Sequence, residues 1–161
     1  MTAQEFKMVY DAHFDAIRRY LIYRSGDRDL SSDIAQNVFM KVWIKKIEVV
    51  NGNIKSLLYK MAGEDFISHL RHKKVESNYI NTLDFKIVNE EEDADFRNEK
   101  KKEFEKALTE LPEKQRTVLL MNKMGGLTYS EIAESLGLSN KAIEKRMGQA
   151  LKTLKTNLGA S

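Results

Sequence analysis

Seven residues near the end of the sequence combine amide, basic and acidic side chains at positions that one helix would bring together. They are Asn140, Lys141, Glu144, Lys145, Arg146, Gly148 and Gln149. Asparagine and glutamine pair with adenine, lysine and arginine reach guanine edges or phosphates, and glutamate accepts a hydrogen bond from cytosine. The chemistry that this set offers is therefore recognition of nucleic-acid bases, without making or breaking a bond.

A helix-turn-helix pattern surrounds these residues. Thr128 and Glu131 have the Thr-x-x-Glu spacing of a capping box, which opens a short helix. Gly137 stands where the chain must turn, and Ser139 is placed to cap a second helix. The residues expected to face inward are Ile132, Ala133, Leu136, Leu138, Ile143, Met147, Ala150, Leu154 and Leu158. Because insertion into the major groove needs a second helix with a polar outer face, the pattern predicts DNA binding. An ordinary helical hairpin is the alternative.

Residues suited to bond chemistry are scarce. The sequence has no cysteine, which excludes disulfides, thiolate metal sites and cysteine catalysis. His69 and His72 have the three-residue spacing of metal ligands on one helix, but no third ligand is evident. The glycines are not arranged as a phosphate-binding loop. We therefore expect no catalytic residue, no metal site and no cofactor.

The distribution of charge predicts two domains. Residues 76–99 contain eight acidic and two basic side chains, whereas residues 1–75 and 100–161 are both net basic. Helical periodicity fades in the acidic segment, and one proline among 161 residues favours helices over a β-fold with many turns. The sequence thus predicts an all-α protein with two small helical domains, 1–75 and 100–161, joined by an acidic linker over 76–99. The linker is interpreted as a solvated spacer, although an acidic segment that covers the basic faces is the alternative.

Three helices are predicted in the N-terminal domain. The first is amphipathic and runs to about Arg24, and Asp29, Ser31 and Ser32 are cap candidates for the second, which extends through Lys46. After a turn at 51–53, the third runs from Ile54 to about Lys74.

A mostly polar stripe follows one side of the second helix. Asp33, Gln36, Asn37 and Met40 fall at positions i, i+3, i+4 and i+7, so they share a face. A solvated surface would account for them, and a protein interface would account for the acid, the amides and the apolar edge together.

Two separated motifs resemble the extracytoplasmic-function sigma factors of bacterial RNA polymerase. The first is a helix of the form Asp-x-x-Gln-x-Val-Phe-x-x-x-Trp, which matches residues 33–43. The second is Leu-Pro-x-x-x-Arg at 111–116, followed by Gly-Leu-Thr-Tyr-x-Glu-Ile-Ala-x-x-Leu-Gly at 126–137. The match covers nearly the whole chain in the family's order.

The resemblance implies a role for each domain. The first would dock on the clamp helices of the largest polymerase subunit and help to melt the minus-10 element. Its docking residues would be Asp33, Gln36, Asn37, Met40 and Lys41, and its strand-contacting residues Asn51, Asn53, Lys55, Lys60, Arg71, Lys73 and Lys74. The second domain would read the minus-35 element with the seven residues named first. Core RNA polymerase, promoter DNA and an anti-sigma factor are the implied partners.

The third helix departs from the family pattern at three positions. Leu57 replaces a tryptophan, Glu64 an asparagine and Ser68 an aspartate. An aromatic side chain stacks on an unpaired base, whereas leucine is only able to wedge between bases. These changes favour one alternative, a degenerate sigma-like module that binds partners without melting DNA. A helix-turn-helix regulator that works without polymerase is the other alternative, and the Asp33–Trp43 helix argues against it. With no apolar stretch long enough to span a bilayer, we expect a cytoplasmic protein.

Overall fold

The computed structural model describes residues 1–47, 54–73 and 96–159, which form seven α-helices and no strand. The helices are α1 (Ala3–Ser25), α2 (Arg28–Ile44), α3 (Ile54–Lys73), α4 (Phe96–Thr109), α5 (Glu113–Lys123), α6 (Tyr129–Leu136) and α7 (Asn140–Gly159). The predicted all-α class is confirmed. Helix α4 begins at Phe96, inside the segment that was predicted as a linker, and residues 76–95 of that segment lie outside the described residues.

The break between α1 and α2 depends on a glycine and an aspartate. Gly26 ends α1 with φ 74°, a left-handed conformation that favours glycine because it has no Cβ. Asp27 follows in an extended conformation, and its carboxylate accepts a hydrogen bond from the Leu30 amide at 3.0 Å. The predicted caps Asp29, Ser31 and Ser32 are therefore wrong, because α2 begins at Arg28 and these residues already lie inside it. The helix also ends earlier than predicted, at Ile44.

Helices α1, α2 and α3 pack around a shared apolar core. Their central side chains are fully buried, as the spacing of apolar residues in each helix requires. The fully buried members include Ile17, Leu21, Val38, Val42, Leu58 and Ala62.

The junction between α4 and α5 is held by a buried arginine. Pro112 immediately precedes α5, where its missing amide hydrogen is not needed. Arg116 is 5% exposed, and its guanidinium donates to the Leu111 carbonyl at 3.2 Å. The arginine of the Leu-Pro-x-x-x-Arg segment thus stabilises the turn that joins the two helices.

The N-terminal helices α1–α3 pack against the C-terminal helices α4–α7. The contact runs along α1 on α5 and along α3 on α6, and buried apolar residues continue from one group of helices into the other. The C-terminal end of α1 is consequently buried on several sides. Tyr20, Tyr23 and Arg24 are covered there by the C-terminal helices as well as by their own group.

Candidate nucleic-acid interface

Helices α6 and α7 form a helix-turn-helix with the local geometry that the sequence predicts. Thr128 accepts a hydrogen bond from the Glu131 amide at 3.1 Å, and the Glu131 carboxylate accepts one from the Thr128 amide at 2.9 Å. Gly137 ends α6 with φ 69°. Ser139 Oγ accepts a hydrogen bond from the Ala142 amide at 3.1 Å. The capping box, the left-handed glycine and the serine cap are all confirmed.

The inner face of this unit fixes the orientation of α7. The predicted core residues Ile132, Ala133, Ile143, Met147 and Ala150 are buried, and Leu136, Leu138 and Leu154 are partly buried against them. Leu158 is 37% exposed, so its predicted inward position is wrong: it lies in the last turn of α7 and projects beyond the packed core.

The predicted base-reading residues, which we call the reading face, lie mostly on the outer side of α7. Six of them are exposed: Asn140, Lys141, Glu144, Lys145, Gly148 and Gln149. Arg146 is half-buried at the edge of the face. The Asn140 amide donates to Ser130 Oγ at 3.3 Å, which ties the start of α7 to α6. Donors, acceptors and cations thus project together from a helix whose other side is anchored.

Substitution of Thr128 tests how far the capping box stabilises this unit. Thr128→Ala removes the oxygen that accepts from the Glu131 amide, and we expect the free energy of unfolding to fall by about 1 kcal/mol. Urea unfolding followed by circular dichroism measures the change. Thr156→Ala is the control, because the Thr156 hydroxyl bonds only to a carbonyl of its own helix. Equal losses in the two variants would contradict a capping role.

The predicted docking residues share one exposed surface, which we call the α2 face. Asp33, Gln36, Asn37, Met40 and Lys41 are all exposed on α2, while Ile34, Ala35 and Val38 between them are buried. Lys41 Nζ also pairs with the Asp65 carboxylate of α3 at 2.8 Å. The structure therefore brings together every residue that was predicted for this surface.

An aromatic groove, which sequence reasoning missed, borders the α2 face. Phe6, Tyr10, Phe39 and Trp43 line it together with Ala3, Gln36 and Met40. The Phe6 and Trp43 ring centroids lie 5.2 Å apart. Trp43 is 43% and Met40 57% exposed, so the apolar edge predicted for the α2 face extends onto α1.

The predicted strand-contacting residues are only partly described. Lys60 and Arg71 are exposed on α3, whereas Lys55 is half-buried. Lys73 ends α3, and Asn51, Asn53 and Lys74 lie outside the described residues. The three family departures also lie on α3: Leu57 packs partly buried against the core, and Glu64 and Ser68 are exposed.

A polar cluster joins the two groups of helices, and no sequence motif indicates it. The Arg24 guanidinium donates to the Glu113 carboxylate at 3.0 Å and to the Tyr20 hydroxyl at 3.0 Å. Burial alone would raise the pKa of Glu113, but the charge and hydrogen bond of Arg24 hold that pKa below its ordinary value. Tyr59 stacks edge-on against Tyr20 with ring centroids 5.0 Å apart.

The close approach of the two groups of helices requires a glycine beside Tyr59. A Cβ at Gly125 would lie 2.6 Å from the Met121 carbonyl oxygen and 3.0 Å from the Tyr59 ring. Since real Cβ atoms are not found this near to backbone oxygen, any other residue at 125 would shift the end of α5 or the ring.

Ionisation of Tyr59 should destabilise the fold in alkali. Burial raises the pKa of the Tyr59 phenol to about 12, and Tyr20 adds to the rise. This folded-state pKa exceeds the ordinary value of 10.0, so the neutral Tyr59 phenol contributes to the free energy of unfolding. That contribution is fully present below pH 10 and is lost as the pH rises toward 12. We expect the unfolding free energy of the wild type to fall by roughly 1–3 kcal/mol more than that of Tyr59→Phe across this range. Tyr129→Phe, at an exposed position, should retain the wild-type slope.

The described residues also bear on metal binding and on membrane insertion. No group of three His, Asp or Glu side chains within 1–47, 54–73 and 96–159 is arranged to hold a metal ion. A helix long and apolar enough to span a bilayer is likewise not found within those ranges.

The C-terminal helices match a known family model. Residues 101–154, from α4 into α7, match the model described as Sigma-70, region 4. The match contains α5, α6 and the reading face of α7.

Similar sequences extend over most of the chain. The RNA polymerase sigma factor SigZ of Bacillus subtilis is 27% identical over 148 residues, which cover 91% of this chain and 83% of that protein. The ferric citrate uptake sigma factor FecI of Escherichia coli is 26% identical over 153 residues, covering 91% and 87%. The two relatives thus align with both the N-terminal and the C-terminal helices.

Similar solved structures cover the whole fold. The sigma factor RpoE of Bartonella quintana, solved with the anti-sigma factor NepR, has a TM-score of 0.75 at 22% identity, covering 98% of each chain. CnrH, solved with the cytosolic domain of CnrY, has a TM-score of 0.70 at 18% identity, covering 99% of this chain and 91% of its own. At these identities the likeness concerns the fold.

Proposed function

Since this chain belongs to the extracytoplasmic-function sigma factors of the sigma-70 family, we propose that its two exposed faces divide the work of promoter recognition. The protein directs promoter-specific transcription initiation. In the proposed division, residues 1–75 dock on core RNA polymerase and help to open the minus-10 element, residues 76–99 connect, and residues 100–161 read the minus-35 element. The observation that carries this proposal is the presence, in one chain, of an exposed α2 face and an exposed reading face on α7.

The reading face supplies the sequence preference in this proposal. Lys145 is exposed, flexible and cationic, so it is able to reach a guanine edge or a phosphate, while Gln149 one turn later offers an amide to adenine. Glu144 would disfavour close approach to phosphate, so its place on the face suits a specific base contact better than general attraction to DNA.

The α2 face and the aromatic groove supply the polymerase contact. An apolar centre with amides and charges around it has the composition of a protein interface, and exposed aromatic and methionine side chains are typical of its centre. Docking on polymerase raises the local concentration of the reading face near the promoter. The contact of the reading face with DNA therefore does not need to be strong on its own.

Opening of the minus-10 element is assigned to α3. Lys60 and Arg71 are exposed and would follow the backbone of a single strand. Leu57 does not offer an aromatic surface for stacking, so in this proposal capture of the strand relies on charge and on wedging rather than on a stacked ring. This departure favours one competing function, that of a sigma-like module which binds polymerase without melting DNA.

The protein acts by binding alone and catalyses no reaction in this proposal. We place it in the cytoplasm, with the polymerase and promoter DNA that it binds. Because two structurally similar proteins were solved with an anti-sigma factor and with the cytosolic domain of another protein, we also propose that this chain is held by an anti-sigma partner.

Footprinting of the free chain and of the chain bound to core polymerase tests the division of work. The complex should protect two separate promoter elements, and the free chain should bind the same DNA weakly, with an affinity that falls steeply as salt rises. Tight, salt-resistant protection by the free chain of two symmetric half-sites would instead identify a regulator that works without polymerase.

A further inference from the structure

One position on the outermost line of α7 carries no side chain. Lys141, Lys145, Gly148 and Lys152 follow one another at intervals of four, three and four residues, so they form a stripe along the helix. All four are exposed, on the side of α7 that faces away from the core. A helix that enters the major groove brings its outermost line closest to the DNA. Gly148 therefore leaves a gap where the bases come nearest.

The fold does not require a glycine at position 148. Gly148 lies in the middle of α7, and it is not among the glycines of the described residues that have a positive φ. Outside its own helix, no described residue lies within 4 Å of a Cβ built at this position. Glycine destabilises the interior of an exposed helix relative to alanine. It thus lowers the stability of α7, and no contact within the described fold accounts for it.

An exposed leucine borders the gap at Gly148. Leu151 is 41% exposed, and residues three positions apart are neighbours on the surface of a helix. Long helical side chains lean toward the N-terminus, over the preceding turn, which places the Leu151 side chain beside the gap. Glu144 and Lys145 border it on the other side, one turn earlier. A small depression with an apolar wall, which we call the notch, therefore interrupts the polar reading face.

The major groove presents one group that suits a notch of this kind. Its base edges carry hydrogen-bond donors and acceptors, and the C5 methyl group of thymine is the apolar exception. A donor or acceptor placed against Leu151 would lose water without gaining a partner, whereas a methyl group has no hydrogen bond to lose. The space left by the missing side chain of Gly148 is also about that of one methyl group, because alanine would fill it with its own Cβ.

We propose that the notch receives the C5 methyl group of one thymine in the upstream promoter element, so that Gly148 and Leu151 determine a preference for thymine there. The inference rests on the proposed function, since it concerns the face assigned there to the minus-35 element. In this arrangement Lys145 and Gln149 read the hydrogen-bonding edges of neighbouring bases. The contact is a matter of shape, so a methyl group on the protein would compete with the methyl group on the DNA.

Replacement of thymine by uracil tests the contact, because the two bases differ only in this methyl group. The probe is a promoter duplex selected from random DNA with the full-length wild-type protein bound to purified bacterial core polymerase. Each thymine of its protected upstream element is replaced singly by deoxyuridine, and binding of the complex is measured by competition at fixed salt. At one position the replacement should weaken binding about three- to tenfold, as loss of one buried methyl group does.

Gly148→Ala should reverse the preference at that position. Its added methyl group fills the notch, so binding to the thymine duplex should fall by about tenfold, while the duplex with deoxyuridine at the same position should bind better than the thymine duplex. Because alanine favours the helix, the melting temperature of the variant should rise by roughly 2–4 °C, which separates lost recognition from lost folding. Leu151→Ala should reduce the preference for thymine without reversing it.

Gly159→Ala is the matched control for Gly148→Ala. It makes the same chemical change on the same helix, at an exposed position well beyond the reading face. As at Gly148, a Cβ built there meets no described residue outside its own helix within 4 Å. This variant should keep the wild-type preference for thymine over uracil and the wild-type affinity for the selected promoter.

The possible results separate failure of the notch from failure of the proposed function. A selected upstream element without thymine, or a wild-type complex that is insensitive to every replacement, would overturn the notch. So would a Gly148→Ala variant that keeps the wild-type preference, even if it binds all duplexes more weakly. In each of these cases a promoter has still been selected, so the proposed function stands. If the complex with polymerase selects no promoter DNA, the proposed function fails and the notch fails with it.

Discussion

Replacement of Lys145 by alanine is expected to lower transcription from a cognate promoter by about 5- to 150-fold, the range that corresponds to the loss of one specific base contact. Lys145 is exposed on the outer side of α7, between Ile143 and Met147, which anchor that helix in the core. Because its side chain makes no contact that the fold requires, the loss should come from DNA recognition. The measurement is run-off transcription from a promoter selected with the wild-type protein, at limiting concentration of the complex with polymerase.

Lys155→Ala is the matched control for this prediction. Lys155 is an exposed lysine on the same helix, well beyond the reading face. Its removal should change transcription little, and both variants should bind core polymerase as the wild type does. If Lys155→Ala reduced transcription as much as Lys145→Ala, the effect would reflect total charge, and the assignment of a reading face would be wrong.

Replacement of Met40 by aspartate is expected to weaken binding to core polymerase by at least about 30-fold, as loss of a residue at the centre of an interface does. Met40 is 57% exposed at the point where the aromatic groove meets the α2 face. An aspartate there would lose its water on docking without a partner for its charge, while in the free protein it would remain solvated. The affinity is measured by fluorescence anisotropy of labelled protein against purified core.

Met8→Asp provides the comparison for Met40→Asp. Met8 is a methionine of α1 with 67% exposure, and it does not line the aromatic groove. The Met8→Asp variant should therefore bind polymerase with wild-type affinity. Equal weakening in both variants would place the docking surface elsewhere or show that acidic substitutions disturb the N-terminal helices in general.

Local structure was predicted well because its signals are close in the sequence. The capping box of α6 joins two residues three positions apart, and the left-handed turn at Gly137 needs only the absence of a Cβ. The reading face follows from the period of a single helix. Each of these features depends on contacts within one element or between neighbours in the chain.

The cap of α2 shows where local reasoning is insufficient. Several residues with capping side chains follow one another from Asp27 to Ser32, and each has the right chemistry. The position is decided by Gly26, whose conformation ends α1 and leaves Asp27 extended beside the first free amides of α2. Propensity alone does not distinguish among adjacent candidates.

Long-range contacts account for what could not be predicted. Arg24 and Glu113 are 89 positions apart in the sequence. The sequence around each of them is typical of a charged side chain on the solvated surface of a helix. The half-buried state of Lys55 and the need for glycine at 125 have the same origin, since both depend on how the C-terminal helices meet the N-terminal ones. The sequence does not reveal the contact between the two groups of helices, so it predicted Lys55 only as a cation that contacts a DNA strand.

Run-off transcription with purified bacterial core polymerase and genomic DNA tests the central claim most directly. Core alone should give no discrete transcripts, and addition of this protein should give a small set of them with defined start sites. Met40→Asp should abolish that set and Lys145→Ala should reduce it. The absence of specific transcripts with a folded wild-type protein, together with DNA binding by the free chain at palindromic sites, would contradict the account.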